Sequence, residues 1–213
     1  MKSILMGVVL LFAADLVSGQ TAAIAIPKYK DKYSGYVQQL EGGKTDIDFA
    51  DFRNSFLDSK QFDKKGLESD SLKREVYKEA NKKNYKQVIA LCRAMLSIDY
   101  TSMFAHKFLQ QTYRITGDTA NQRKYHDIEF GLLRSITGSG DGKSCETGWH
   151  VTQIEEEYFI LSMLSATLKK QSLSGAGKNR CDIMEVDEEG STKTYYFEIN
   201  KVLAKEREML EGK

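Results

Sequence analysis

Cys145 and His150 are the closest cysteine and histidine in the chain, and a thiol beside an imidazole is the starting material of an activated nucleophile. Such a site needs a third group to orient the imidazole, a part that Asp141 or Asp182 would have to play. In an oxidising compartment Cys145 has a second use. Cys181 lies in the same C-terminal part of the chain, and two cysteines whose β-carbons approach form a disulfide. Both uses remain open on sequence alone. Cys92 belongs to a helical apolar stripe and reads as a small buried hydrophobe.

Other chemistries fail on spacing. The stretch from Thr137 to Ser144 ends in Gly-Lys-Ser, the close of a phosphate-binding loop, but Gly138 leaves that loop one residue short. Its setting is also wrong, because it follows a helix and leads to a strand, and Asp141 places a negative charge among the would-be phosphate donors. A helix end followed by a tight turn explains the glycines, with Asp141 accepting backbone hydrogen bonds. His106, His126 and His150 are far apart in sequence, and neither HExxH nor CxxC occurs, so no metal and no cofactor is expected. Glu155, Glu156 and Glu157 point in different directions on a helix and suit its positive N-terminal end. Lys169 and Lys170 read as solvated lysines.

Charge excludes further classes. The 213 residues carry 31 Lys+Arg against 30 Asp+Glu, a net +1, which offers no basic field for nucleic acid or an anionic membrane. Lys2 followed by the apolar run Ile4–Ala14 and the small residues Ser18 and Gly19 predicts a secretory signal over residues 1–19, cut before Gln20. The run is about half of the ~20 residues that span a bilayer, so no stable membrane insertion is expected after cleavage.

The elements that would position these residues are mostly helical. Tyr29, Tyr33, Tyr36, Val37 and Leu40 recur at helical spacing until Gly42-Gly43, and Asp48 caps a helix carrying Phe49, Phe52 and Phe56. Residues 58–70 read as a connecting loop. Four helices follow, marked by Leu72 to Ala80, Tyr85 to Leu96, Ala105 to Thr112, and Tyr125 to Ile136, joined by turns short enough to make them antiparallel. The repeat of about 34 residues per helix pair, with Ala80, Tyr85, Tyr113 and Gly117-Asp118, resembles tetratricopeptide hairpins. Two such hairpins leave an apolar face open, so the C-terminal third is expected to cover it. There the pattern predicts a strand over Trp149–Ile154, a buried helix over Glu155–Leu168, strands over Cys181–Val186 and Thr192–Ile199, and a helix over Asn200–Leu210.

Across nearly the whole mature chain the sequence resembles a family of exported bacterial proteins known as a domain of unknown function. The resemblance rests on Asp51-Phe52-Arg53, Gly140-Asp141-Gly142, Glu146-Thr147, His150-Val151, Glu157-Tyr158, Gln171-Ser172-Leu173, Cys181-Asp182, Glu185-Val186 and Tyr196-Phe197. It implies export and a helical build with a small sheet, and it supplies no activity. Cys145 departs from the family pattern, which argues against a shared cysteine nucleophile.

The reading is therefore an α+β, mostly helical protein. Residues 20–213 form one domain, in which helical hairpins (20–138) are closed by a small antiparallel sheet and a C-terminal helix (139–213). The expected function is a non-enzymatic peptide- or protein-interaction module, periplasmic or secreted, with Asp141, His150 and Tyr158 as contact residues. The competing reading is a small thiol-dependent hydrolase built on the segment from Cys145 to His150.

Overall fold

The structure, a computed structural model, describes residues 23–62, 68–174 and 179–212. The expected signal over residues 1–19 lies outside the described residues, as do positions 63–67 of the expected 58–70 loop.

Helix α1 (Lys32–Glu41) is capped by Asp31, and α2 (Phe49–Leu57) by Asp48, whose carboxylates accept backbone N–H bonds from Ser34 and Asp51. Two helical hairpins follow. The first is α3 (Glu68–Asn81) with α4 (Tyr85–Ile98), and the second is α5 (Met103–Thr116) with α6 (Thr119–Thr137). Gly117, at φ 82°, ends α5 in the left-handed conformation, and Asp118 then caps α6 through the Asn121 N–H. Among the described residues no helix is long and apolar enough to cross a membrane.

After an elbow at 138–148 come β1 (Trp149–His150), α7 (Ile154–Met163), β2 (Thr167–Leu173), β3 (Cys181–Glu188), β4 (Ser191–Glu198) and α8 (Asn200–Leu210). The strands form one sheet in the order β1-β4-β3-β2. Strands β3 and β4 pair antiparallel, as expected, and β2, a strand the sequence did not predict, pairs antiparallel with β3, but β1 runs parallel to β4, with Trp149 opposite Phe197, so the sheet is mixed rather than antiparallel. The expected strand Trp149–Ile154 shrinks to two residues because Val151, Thr152 and Gln153 turn inward to start α7. The expected helix Glu155–Leu168 stops at Met163, and Ser165 at φ 55° reverses the chain into β2.

One apolar cluster runs through both parts, from Val37, Phe52, Leu96 and Ile128 in the helices to Ile160 and Phe197 beside and within the sheet. Helix α2 lies on α6, and α7 on α5, which covers the face the two hairpins leave open.

Candidate functional site

The best-organised polar centre is buried under the point where these layers meet. Arg53, on α2, reaches Glu156 on α7 with a two-pronged ion pair, Nε to Oε1 at 2.8 Å and Nη2 to Oε2 at 2.6 Å. Both side chains are less than 5% exposed. Arg53 also donates to the His150 carbonyl at 2.9 Å and to Ser135 Oγ on α6 at 3.3 Å. Glu156 accepts in addition from the Thr152 backbone N–H and hydroxyl. This arrangement satisfies most of the donors and acceptors that burial takes from water, the condition under which a buried pair is tolerated. It joins α2, α6, β1 and α7.

Glu156 also forms part of the floor of a groove of about 640 Å³ between α3, α5 and α7. Tyr77 from α3 packs edge-on against Phe104 and Phe108 of α5, with ring centres 5.4 and 5.3 Å apart. Opposite them stand Tyr158 and Phe159 of α7. Tyr77 and Tyr158 remain 55% and 45% exposed, large apolar areas for side chains lining one concavity. Lys107, one turn along from Phe104, extends its ammonium across to α7, 3.2 Å from Met163 Sδ and 5.4 Å from the centre of the Phe159 ring.

The elbow is a loop beside the sheet closed by its own hydrogen bonds, with the Asp141 and Gly142 N–H groups both donating to the Thr147 carbonyl at 2.9 Å. Asp141 Oδ1 accepts from the Thr147 hydroxyl at 2.6 Å and the Lys143 N–H at 3.0 Å, and these bonds hold its pKa below the usual carboxylate value. At Gly140 a β-carbon would come 2.3 Å from the Thr147 carbonyl, and at Gly142, φ 69°, it would meet the Trp149 ring. Only glycine fits either place. Cys145 in the elbow is joined by a disulfide to Cys181 on β3, with Cα atoms 5.6 Å apart.

Asp141, His150 and Tyr158 do not share one pocket. Asp141 is spent within the elbow. His150 is exposed on the elbow's outer side, its Nε2 3.8 Å from Glu198 Oε2, while Tyr158 lines the groove. Tyr158 donates to Gln171 Oε1 at 2.9 Å, and Gln171 Nε2 donates to Asp182 at 2.8 Å. At the end of that chain lies Glu157, fully buried, with no donor reaching either carboxylate oxygen. Burial first, and then the neighbouring Asp182 and Glu156, push its pKa up to about 9. Since Asp182 is an acceptor, a proton retained on Glu157 lets one carboxyl donate to the other. The three consecutive glutamates thus have three surroundings, and a shared helix-end role does not describe Glu156 or Glu157.

Thiol chemistry loses its candidate here. Cys145 is tied to Cys181, and the third cysteine, Cys92, is buried, its thiol pushed up to about 12 by desolvation. Among the described residues no cluster of three or more His, Cys, Asp or Glu side chains is placed to hold a metal ion. Sequence reasoning named Arg53 only within the family resemblance, with no role, and missed Tyr77, Phe104 and Lys107. Phe104, Lys107, Phe108 and Gln111 do repeat at helical spacing, a second stripe on α5 beside the core-facing one, which is the signal that marks a second contact face.

Residues 43–208 match the family described as Domain of unknown function (DUF4919), and the chain belongs to that family. No curated protein and no solved structure shows a match. The fragments that carried the resemblance lie mainly around the Arg53 centre, the elbow and the Tyr158–Gln171–Asp182 chain.

Proposed function

We propose that the protein is an exported, non-enzymatic interaction module that holds a peptide or protein segment in the groove between α3, α5 and α7. The observation that carries this reading is the aromatic lining itself. Tyr77, Phe104, Phe108, Tyr158 and Phe159 converge from three helices on one cleft, two of them about half exposed, in a molecule whose other aromatic rings mostly fill the core. Aromatic anchors in a concave site are the usual source of binding energy in peptide recognition. Tyr158 is the contact residue within the groove, His150 an outer contact on β1 just after the elbow, and Asp141 the residue that keeps the elbow in shape. The Cys145–Cys181 bond accords with export to an oxidising compartment.

The test is selection of displayed random peptides on the mature protein, followed by amide-exchange mapping. Selected peptides should protect α3, α5 and α7, and Tyr77→Ala should weaken them by roughly 10- to 30-fold, the effect of losing one aromatic anchor. Protection confined to other surfaces would refute the groove. N-terminal sequencing of the native protein should begin at or near Gln20. The thiol-hydrolase alternative requires a free Cys145, and a turnover abolished by Cys145→Ser in a folded protein would restore it.

A further inference from the structure

Resting on the groove reading above, we propose that the groove selects an acidic segment, one that brings a carboxylate to Lys107 and an apolar side chain to the neighbouring aromatic cluster.

The argument is one of charge matching. Four carboxylates and two lysines line the groove, and all the carboxylates already have company. Glu156 is neutralised by Arg53, and Asp70 stands 3.7 Å from Lys73. Asp99 accepts from the Thr101 N–H and hydroxyl, and Glu155 has a partner of its own. Lys107 differs. Its side chain is partly buried, its ammonium lies 3.2 Å from a thioether sulfur and 5.4 Å from the centre of a ring, and among the described residues no carboxylate lies within ion-pair distance of it. The acid whose titration it influences, Glu129 on α6, is buried, and desolvation raises its pKa to about 7, so it is a weak counter-ion. A cation in such a place has given up part of its hydration without gaining an opposite charge. An incoming carboxylate supplies the missing opposite charge, and the Phe159 ring on one side of the ammonium reduces the water that would screen the pair.

Spacing sets the form of the ligand. Lys107 lies three residues after Phe104 and one before Phe108, and residues three apart on a helix have β-carbons roughly 5–6 Å apart. In an extended chain, side chains on one face recur every second residue, at roughly 6.5–7 Å. An apolar residue followed two positions later by Asp or Glu therefore places one side chain on the Tyr77–Phe104–Phe108 cluster and the carboxylate at Lys107.

The probe is a blocked heptapeptide, Ser-Leu-Phe-Ala-Glu-Leu-Ser, compared with its Gln and Lys counterparts at the Glu position, titrated by NMR into the full mature protein. The Glu peptide should bind about tenfold more tightly than the Gln peptide, and the Lys peptide most weakly, with added salt narrowing the gap. Lys107→Met, which keeps an unbranched stem, should reduce the Glu-to-Gln ratio to under about threefold with the Gln peptide's own affinity little changed. Lys107→Arg should retain the preference, which separates loss of charge from loss of folding. Equal affinity of the Glu and Gln peptides for the native protein, or tightest binding of the Lys peptide, overturns the charge preference while leaving the groove reading intact. The same holds if none of the three binds but library-selected peptides do. If neither these nor any selected peptide binds the groove, both proposals fail.

Discussion

Arg53 and Glu156 are 103 positions apart, and each would be an uncompensated buried charge without the other. Arg53→Ala should therefore cost about 3–5 kcal/mol of stability, far more than an exposed pair. Replacing both residues with Met should recover most of that loss, because the larger penalty comes from the orphaned carboxylate. Urea denaturation of the three proteins checks the order. Glu157 makes a different demand. With its pKa raised from 4.5 to about 9 in the folded protein, it keeps a proton that the unfolded chain releases above pH ~4.5. Its contribution is complete below that pH and declines as pH rises toward 9, by about 1.4 kcal/mol per pH unit inside the window. Glu157→Gln should flatten this segment of the stability profile and stabilise the protein at pH 8. A profile unchanged by the substitution would show that Glu157 is ionised in the fold.

At the scale of elements, the physical reason for each success and failure of sequence reading is visible. Helices α2, α4, α5 and α6 bury one face each, so the 3.6-residue period and the caps at Asp48 and Asp118 mark them plainly. Helix α8, expected over Asn200–Leu210, has those bounds. Strand β2 left no such trace. It is the sheet's edge, nearly all exposed, and its sequence Thr-Leu-Lys-Lys-Gln-Ser-Leu has the polar character that keeps an edge from pairing with other chains, but no clean alternation. The expected helix therefore runs on to Leu168, over the first two residues of β2, and the pattern predicts no element for the other five. Pairing of β1 with β4 was equally hidden, since two residues carry no period and the partner of Trp149, Phe197, lies 48 positions further along the chain. The disulfide closes a segment 36 residues long that holds α7 and β2, and loop-closure entropy assigns it about 2–4 kcal/mol. The Cys145→Ala, Cys181→Ala double variant should lose that much in chemical denaturation, with the larger part of the lost amide protection falling in α7 and β2.

For the molecule as a whole, the pieces of the site were partly legible and their assembly was not. Tyr158 was singled out and does line the groove, but Asp141 and His150 stand apart from it. Tyr77 and Lys107 gain their meaning only from helices brought together by the fold. The apolar cluster shared by hairpins and sheet implies that neither survives alone. A fragment ending at Gly142 would expose the faces of α5 and α6 that α7 and the sheet now cover, and it should aggregate without a cooperative melt. A monomeric, sharply melting fragment would instead make the helical part a domain in its own right. The cross-link bears on the same body in a mechanical sense. If the two ends of the chain were pulled apart, tension would pass from the elbow straight through the sulfur bridge into β3. Helix α7, one wall of the groove, sits on the slack side of that shunt and carries no load, and about 120 Å of chain stays locked away until the bridge is reduced.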